Sequence, residues 1–137
     1  MKLDSTNVAA NFGFGKILHS YSENLDIPLK HYQAVINKDP KHYKALCQIG
    51  IVYLEKGDFE KAAEYLKSSL KINPKYILSL VSMGNLLFET GNSKNAAKYH
   101  QQALQYNPKE IQALIGLGNS LYDLGVLKPQ NLQPLKP

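Results

Sequence analysis

The sequence predicts an all-α fold, an α-solenoid of about three and a half helix–turn–helix hairpins. Two observations predict it. The first is a period. Asp39-Pro40-Lys41, Asn73-Pro74-Lys75 and Asn107-Pro108-Lys109 stand 34 residues apart, and Gly50, Gly84, Gly118 and Gly57, Gly91, Gly125 keep the same spacing. The second is the pattern inside each period. Leu46, Ile49, Gly50 and Tyr53 recur at i, i+3, i+4 and i+7, which is one face of a helix. A single hairpin of this length cannot bury its own apolar stripe, so successive hairpins must stack.

The elements follow in chain order. Residues 9–42 form the first unit, with helices expected over 7–21 and 28–37. It is a degraded copy, keeping Phe12, Gly15, Leu25, Tyr32, Val35-Ile36 and Pro40. Lys16 stands where the later units have their first glycine, and Pro28 where they have alanine. Proline is tolerated in the first turn of a helix, so Pro28 can still open the second one. Residues 43–76 are the clearest unit, with helices over 43–56 and 59–71. Gly57-Asp58 breaks the first helix, because glycine accepts the left-handed position that closes a helix. Ala62, Tyr65-Leu66, Ser69 and Leu70 give the second helix its buried side. Asn73-Pro74 ends it, since the residue before proline is pushed out of helical geometry. Residues 77–110 repeat this with helices over 77–90 and 93–105. Residues 111–125 give a half unit, one helix over 111–124. The array thus spans 1–127, and Pro129, Pro134 and Pro137 predict an extended tail over 128–137.

These units resemble the tetratricopeptide repeat. The family pattern of Leu-Gly, tyrosine, a glycine turn, alanine and proline is carried by Leu46, Ile49-Gly50, Tyr53, Gly57, Ala62, Ser69-Leu70 and Pro74. It recurs in Leu80, Met83-Gly84, Leu87, Gly91, Ala96, His100, Ala103-Leu104 and Pro108, then in Leu114, Leu117-Gly118, Leu121 and Gly125. The resemblance implies a right-handed superhelix whose first helices line a concave groove. It also implies a protein-interaction module that holds an extended peptide or a partner helix.

Composition narrows the chemistry. The chain has 137 residues and a formal net charge of +5, yet its basic residues are all lysines, spread along the sequence. Arginine supplies the planar fork that reads base edges and clamps phosphates, so no specific nucleic-acid partner is expected. No apolar run approaches the roughly 20 residues that span a bilayer, and no membrane insertion is expected. Asp4 interrupts the amino terminus, so no signal peptide is expected and the cytoplasm is the expected compartment. A complex on a cilium or an organelle is the open alternative. Cys47 is the one cysteine, which rules out an internal disulfide and a cysteine-built zinc site.

No catalytic constellation is legible, and neither enzyme activity, metal nor cofactor is expected. His19, His31, His42 and His100 lack metal-ligand spacing. Gly13-Phe14-Gly15-Lys16 resembles a phosphate loop but lacks the hydroxyl after the lysine and lies in a helix-forming unit.

The candidate sites are therefore interaction surfaces. The period turns equivalent positions into columns: Gln48, Ser82, Gly116; Ile51, Asn85, Asn119; Leu54, Phe88, Tyr122; and Glu55, Glu89, Asp123. The expected groove comprises Gln48, Ile51, Glu55, Ser82, Asn85, Phe88, Glu89, Asn119, Tyr122 and Asp123. Its carboxylates lie near helix C-termini, where the dipole disfavours negative charge, and so suggest a strip receiving a basic partner segment. Phe88 and Tyr122 form an aromatic shelf beside it. Within the family resemblance, binders of chaperone tails carry a clamp of lysine, asparagine, asparagine, lysine and arginine. The matching residues here are Gly13, Ile17, Gln48, Leu78 and Ser82, or one unit later Cys47, Ile51, Ser82, Gln112 and Gly116. Neither set forms the clamp. The last helix lacks its hairpin partner, so Leu117, Leu121 and Leu124 are expected as an exposed apolar stripe that docks another protein. The expected role is a scaffold or assembly subunit of a larger complex. The alternatives are a transient co-chaperone-like adaptor and the regulatory fragment of an enzyme.

Overall fold

The computed structural model describes residues 7–126, and the expected tail over 128–137 lies outside them. Seven helices and no strand occur among the described residues: α1 (Val8–Tyr21), α2 (Asp26–Lys38), α3 (Tyr43–Lys56), α4 (Phe59–Ile72), α5 (Ile77–Glu89), α6 (Ser93–Tyr106) and α7 (Ile111–Asp123). The chain divides into two units. The first, ending at Pro74, holds α1–α4; the second, starting at Lys75, holds α5–α7.

In the first unit α1 pairs with α2, α3 pairs with α4, and α2 packs on α3. Tyr32, Ile49 and Val52 are buried at its centre, with Phe12, Leu25, Leu29, Ile36, Tyr53 and Tyr65 packed around them. In the second unit α6 packs against both α5 and α7, and α5 also touches α7.

The helix ends explain the period. Gly57 closes α3 with φ 81°, and Gly91 and Gly125 take the same left-handed conformation after α5 and α7. The amide of Asp58 then bonds the Tyr53 carbonyl at 2.9 Å, as Asn92 bonds Leu87 at 2.7 Å and Val126 bonds Leu121 at 2.9 Å. A side chain with a φ near +80° would be strained, which is why glycine recurs here. N-caps come from side chains. Asn7 accepts from Ala10, His42 Nδ1 from Ala45, Asp58 from Lys61 and Asn92 from Asn95. Each satisfies an amide that the first helical turn leaves unpaired.

A second use of glycine sets how close the paired helices come. A methyl group on Gly50 would lie 2.7 Å from Leu66 Cγ, and one on Gly84 would lie 2.5 Å from His100 Nε2. The first helix of each hairpin therefore offers a socket that the second helix fills. In the first hairpin the socket is Gly15, not position 16: a methyl there would lie 2.5 Å from Tyr32 Cε1. This corrects the reading that Lys16 replaces the glycine. Helix α1 leads α3 by 35 residues at both ends, while Pro28 and Tyr32 on α2 keep the 34-residue step to Ala62 and Leu66 on α4. The cause is the turn. Ser22–Leu25 has no positive-φ residue and is held instead by Asn24 N–H to Ser22 Oγ at 3.1 Å and Asp26 N–H to Asn24 Oδ1 at 3.0 Å. Helix α2 consequently begins at Asp26 rather than 28, and Pro28 is buried in its first turn.

Candidate functional site

Helices α1 and α3 present polar side chains over buried Tyr32. An open depression of about 340 Å³ is lined by Lys16, His19, Ser20, Tyr32, Gln48 and Glu55. Gln48 and Glu55 were expected at the groove; Lys16, His19 and Ser20 were not. Ile51 is half-buried on the same helix as Gln48. His19 Nε2 reaches both Glu55 oxygens, at 3.0 and 3.1 Å, and its Nδ1 lies 3.4 Å from the Tyr32 hydroxyl. Burial, then the Glu55 charge, pushes the Tyr32 hydroxyl up to about 12. Tyr32 therefore keeps its proton and donates to Nδ1, while the Nε2–H donates to Glu55. The result is a fixed chain from the core to the surface, Tyr32 to His19 to Glu55. His19, which the sequence marked only as lacking metal-ligand spacing, is the link in that chain. Its signal was weak because the partners lie 13 and 36 residues away.

In the second unit α5 and α7 carry the remaining candidates. Asn85, Glu89, Asn119 and Asp123 are exposed, Phe88 is 36 % exposed and Tyr122 55 %. Ser82 is a correction. It is only 4 % exposed, so it offers nothing to a partner there. The acidic column also changes character. Glu55 is held by His19, and Asp123 accepts a hydrogen bond from the Ser93 hydroxyl. Two of its three carboxylates thus have partners within their own unit.

The expected docking stripe is rotated. Ala113 and Ser120 are fully buried, so α7 turns that side inward, and Leu117 and Leu121 are only half-buried rather than exposed. Leu124 is exposed as expected. The outward apolar residues of α7 are Ile111, Leu114, Ile115 and Tyr122. They surround Gly118 at i−7, i−4, i−3 and i+4, a single helical face. The equivalents of Leu114 and Ile115 on earlier helices are buried: Leu46 and Cys47 are 7 % and 0 % exposed, Leu80 and Val81 1 % and 5 %, against 49 % and 52 % on α7.

Gly13-Phe14-Gly15-Lys16 lies inside α1, with the backbone of a helix rather than of a phosphate loop. Among the described residues no three His, Cys, Asp or Glu side chains are grouped to hold a metal ion, and no helix is long and apolar enough to cross a membrane.

Comparison with known proteins places this geometry. Family models described as tetratricopeptide repeat match residues 43–76 and residues 81–127, together more than half of the chain. No curated protein matches. Among solved structures, the first TPR of Spaghetti (RPAP3) bound to the HSP90 peptide SRMEEVD superposes with a TM-score of 0.81 at 17 % identity, covering 90 % of this chain and 97 % of that one. The Arabidopsis OM64 TPR domain gives 0.80 at 15 % identity, covering 87 % and 98 %. YrrB, described as a TPR protein with an unusual peptide-binding site, gives 0.75 at 22 % identity, covering 90 % of this chain and 63 % of that one. These likenesses show the fold, an all-α helical-repeat solenoid.

Proposed function

Because this chain belongs to the tetratricopeptide repeat family, whose domains are in general protein–protein interaction modules, we propose that it is a non-enzymatic scaffold or assembly subunit. It holds an extended peptide or partner helix on the exposed faces of α1 and α3 in the first unit, offers a further surface on α5 and α7 in the second, and docks another partner through α7. The observation that carries this reading is the depression at α1 and α3. There a cation, a hydroxyl, an amide and a carboxylate line one open site over a fixed Tyr32–His19–Glu55 chain. Such a mixture hydrogen-bonds a peptide backbone and leaves a charge of each sign for its side chains. In the second unit Asn85 and Asn119 supply amides and Phe88 and Tyr122 an aromatic shelf. Glu89 is the carboxylate for a basic partner segment. The compartment we propose is the cytoplasm.

The structural neighbour from Spaghetti binds a peptide ending in acidic residues. The one-residue slip of α1 moves the first two clamp positions here to Phe12 and Lys16, followed by Gln48, Leu78 and Ser82. Lysine now stands where the clamp has asparagine, and the distal lysine and arginine are still lacking. Acidic chaperone tails are therefore not the ligands we propose.

The test is capture of partners with the tagged native protein at moderate salt, identified by mass spectrometry, followed by Glu55→Lys with Glu89→Lys. The expected result is a stoichiometric partner set that the double variant loses while its helical circular dichroism is unchanged. A protein that comes down alone, yet binds SRMEEVD at micromolar concentration, would replace the scaffold with a transient adaptor.

A further inference from the structure

We propose that α7 is a self-association surface whose occupant is α7 of a second copy of this chain. This deepens the reading of α7 as a docking surface and rests on it. The argument is the pairing rule the chain states three times. Gly15 receives Tyr32, Gly50 receives Leu66 and Gly84 receives His100. In each case the inserted residue follows a small or compact one by four positions: Pro28, Ala62 and Ala96. The paired helices run antiparallel, so the rule has two halves, a glycine socket on one helix and a small–x–x–x–bulky step on the other.

Helix α7 carries both halves on one face. Among the described residues nothing lies within 4 Å of a methyl placed on Gly118, so none of them fills its socket. Gly118 is also the small residue of the step, and Tyr122, four positions on, is the bulky one and is exposed. Laid antiparallel on its own copy, Tyr122 of each copy enters the Gly118 socket of the other. Leu114 and Ile115, exposed here where their equivalents are buried, are drawn toward the same contact. From Ile111 to Tyr122 the helix has no charged residue, and Asp123, which follows, lies on the flank of this face and accepts from the Ser93 hydroxyl. A two-fold interface of this kind needs a self-complementary patch, and this face is one.

The experiment is sedimentation velocity on the full 137-residue chain across a concentration series, with Gly118→Leu, Tyr122→Ala and, as an exposed-aromatic control on α1, Tyr21→Ala. One helix pair is a small interface, so a dimer of roughly micromolar Kd is expected. Gly118→Leu fills the socket and Tyr122→Ala removes the insert; each should raise Kd by about tenfold or more. Tyr21→Ala should leave it unchanged. The added Cβ at Gly118 meets no described residue, and circular dichroism with a melting curve verifies the fold. A chain that stays monomeric at about 300 µM overturns the proposal, since a dimer that weak has no packed core. So does a dimer indifferent to both α7 variants. If the purified chain is monomeric but Gly118→Leu releases a captured heterologous partner, self-association fails while the docking reading stands.

Discussion

The first and third sockets hold polar side chains in the same place with different outcomes. Tyr32 at Gly15 is fully buried, but its hydroxyl reaches His19 and through it Glu55 at the surface. His100 at Gly84 is equally buried, pressed between Gly84 and Gly116, and among the described residues neither ring nitrogen has a hydrogen-bond partner. Burying an amphipathic ring costs little when its polar tip finds an acceptor, and much more when it does not. The socket therefore selects for size first. Whether polarity is tolerated depends on what the neighbouring helix turns toward it.

Five substitutions or conditions break or sharpen that contrast. The largest effect is expected from emptying a socket. Leu66→Ala should cost about 2–5 kcal/mol in denaturant unfolding, because a buried leucine leaves a cavity that Gly50 cannot close. Gly116→Ala comes next. Its methyl would collide with the His100 ring, so about 1–3 kcal/mol of overpacking should outweigh the gain in helix propensity. Thermal melting that shows stabilisation instead would mean that the ring moves freely.

The two polar sockets should also fail at opposite ends of the pH scale. Burial holds His100 below its ordinary 6.5, so the unfolded chain binds the extra proton. Stability is then complete above pH 6.5 and falls with acid at up to about 1.4 kcal/mol per pH unit. His100→Leu should flatten this slope relative to wild type. Tyr32 is raised from 10.0 to about 12, so its contribution is complete below pH 10 and is lost as pH rises toward 12. Tyr32→Phe should abolish that alkaline loss, and at neutral pH it should cost only about 1 kcal/mol for the hydroxyl. Last, at concentrations where the chain is monomeric, Gly118→Ala should stabilise by about 0.5–1 kcal/mol, since no described residue opposes the methyl and alanine favours the helix. Opposite signs at Gly116 and Gly118, two residues apart, would confirm that only one of them is a filled contact.

Most of the fold was legible because it rests on local chemistry repeated at one spacing. Gly57, Gly91 and Gly125 announce helix ends by themselves, and Pro40, Pro74 and Pro108 close the second helices. The candidate site was less legible. The His19–Glu55 contact joins residues 36 apart on two exposed helix faces, and no pattern in either helix predicts it. Ser82 looked available because its column was drawn by period alone, and the period cannot say which columns a neighbouring helix covers. The outward face of α7 was misjudged for a related reason. Leu117 and Leu121 are as apolar as Leu114 and Ile115, and only the packing of Ala113 and Ser120 shows which pair turns outward.

The four-residue turn between α1 and α2 has a wider consequence. One added residue turns a helix by about 100° about its axis. A comparison in strict steps of 34 therefore places every α1 residue about a quarter-turn from its true counterpart. The helices on either side keep their hairpin and socket, so folding is indifferent to the shift, while statistical likeness is not. The family models match from Tyr43 onward and pass over the first hairpin, although it is built by the same rule. Lys16 and Ser20 line the depression with Gln48 and Glu55, so the hairpin that diverged furthest from the repeat supplies four of its six lining residues.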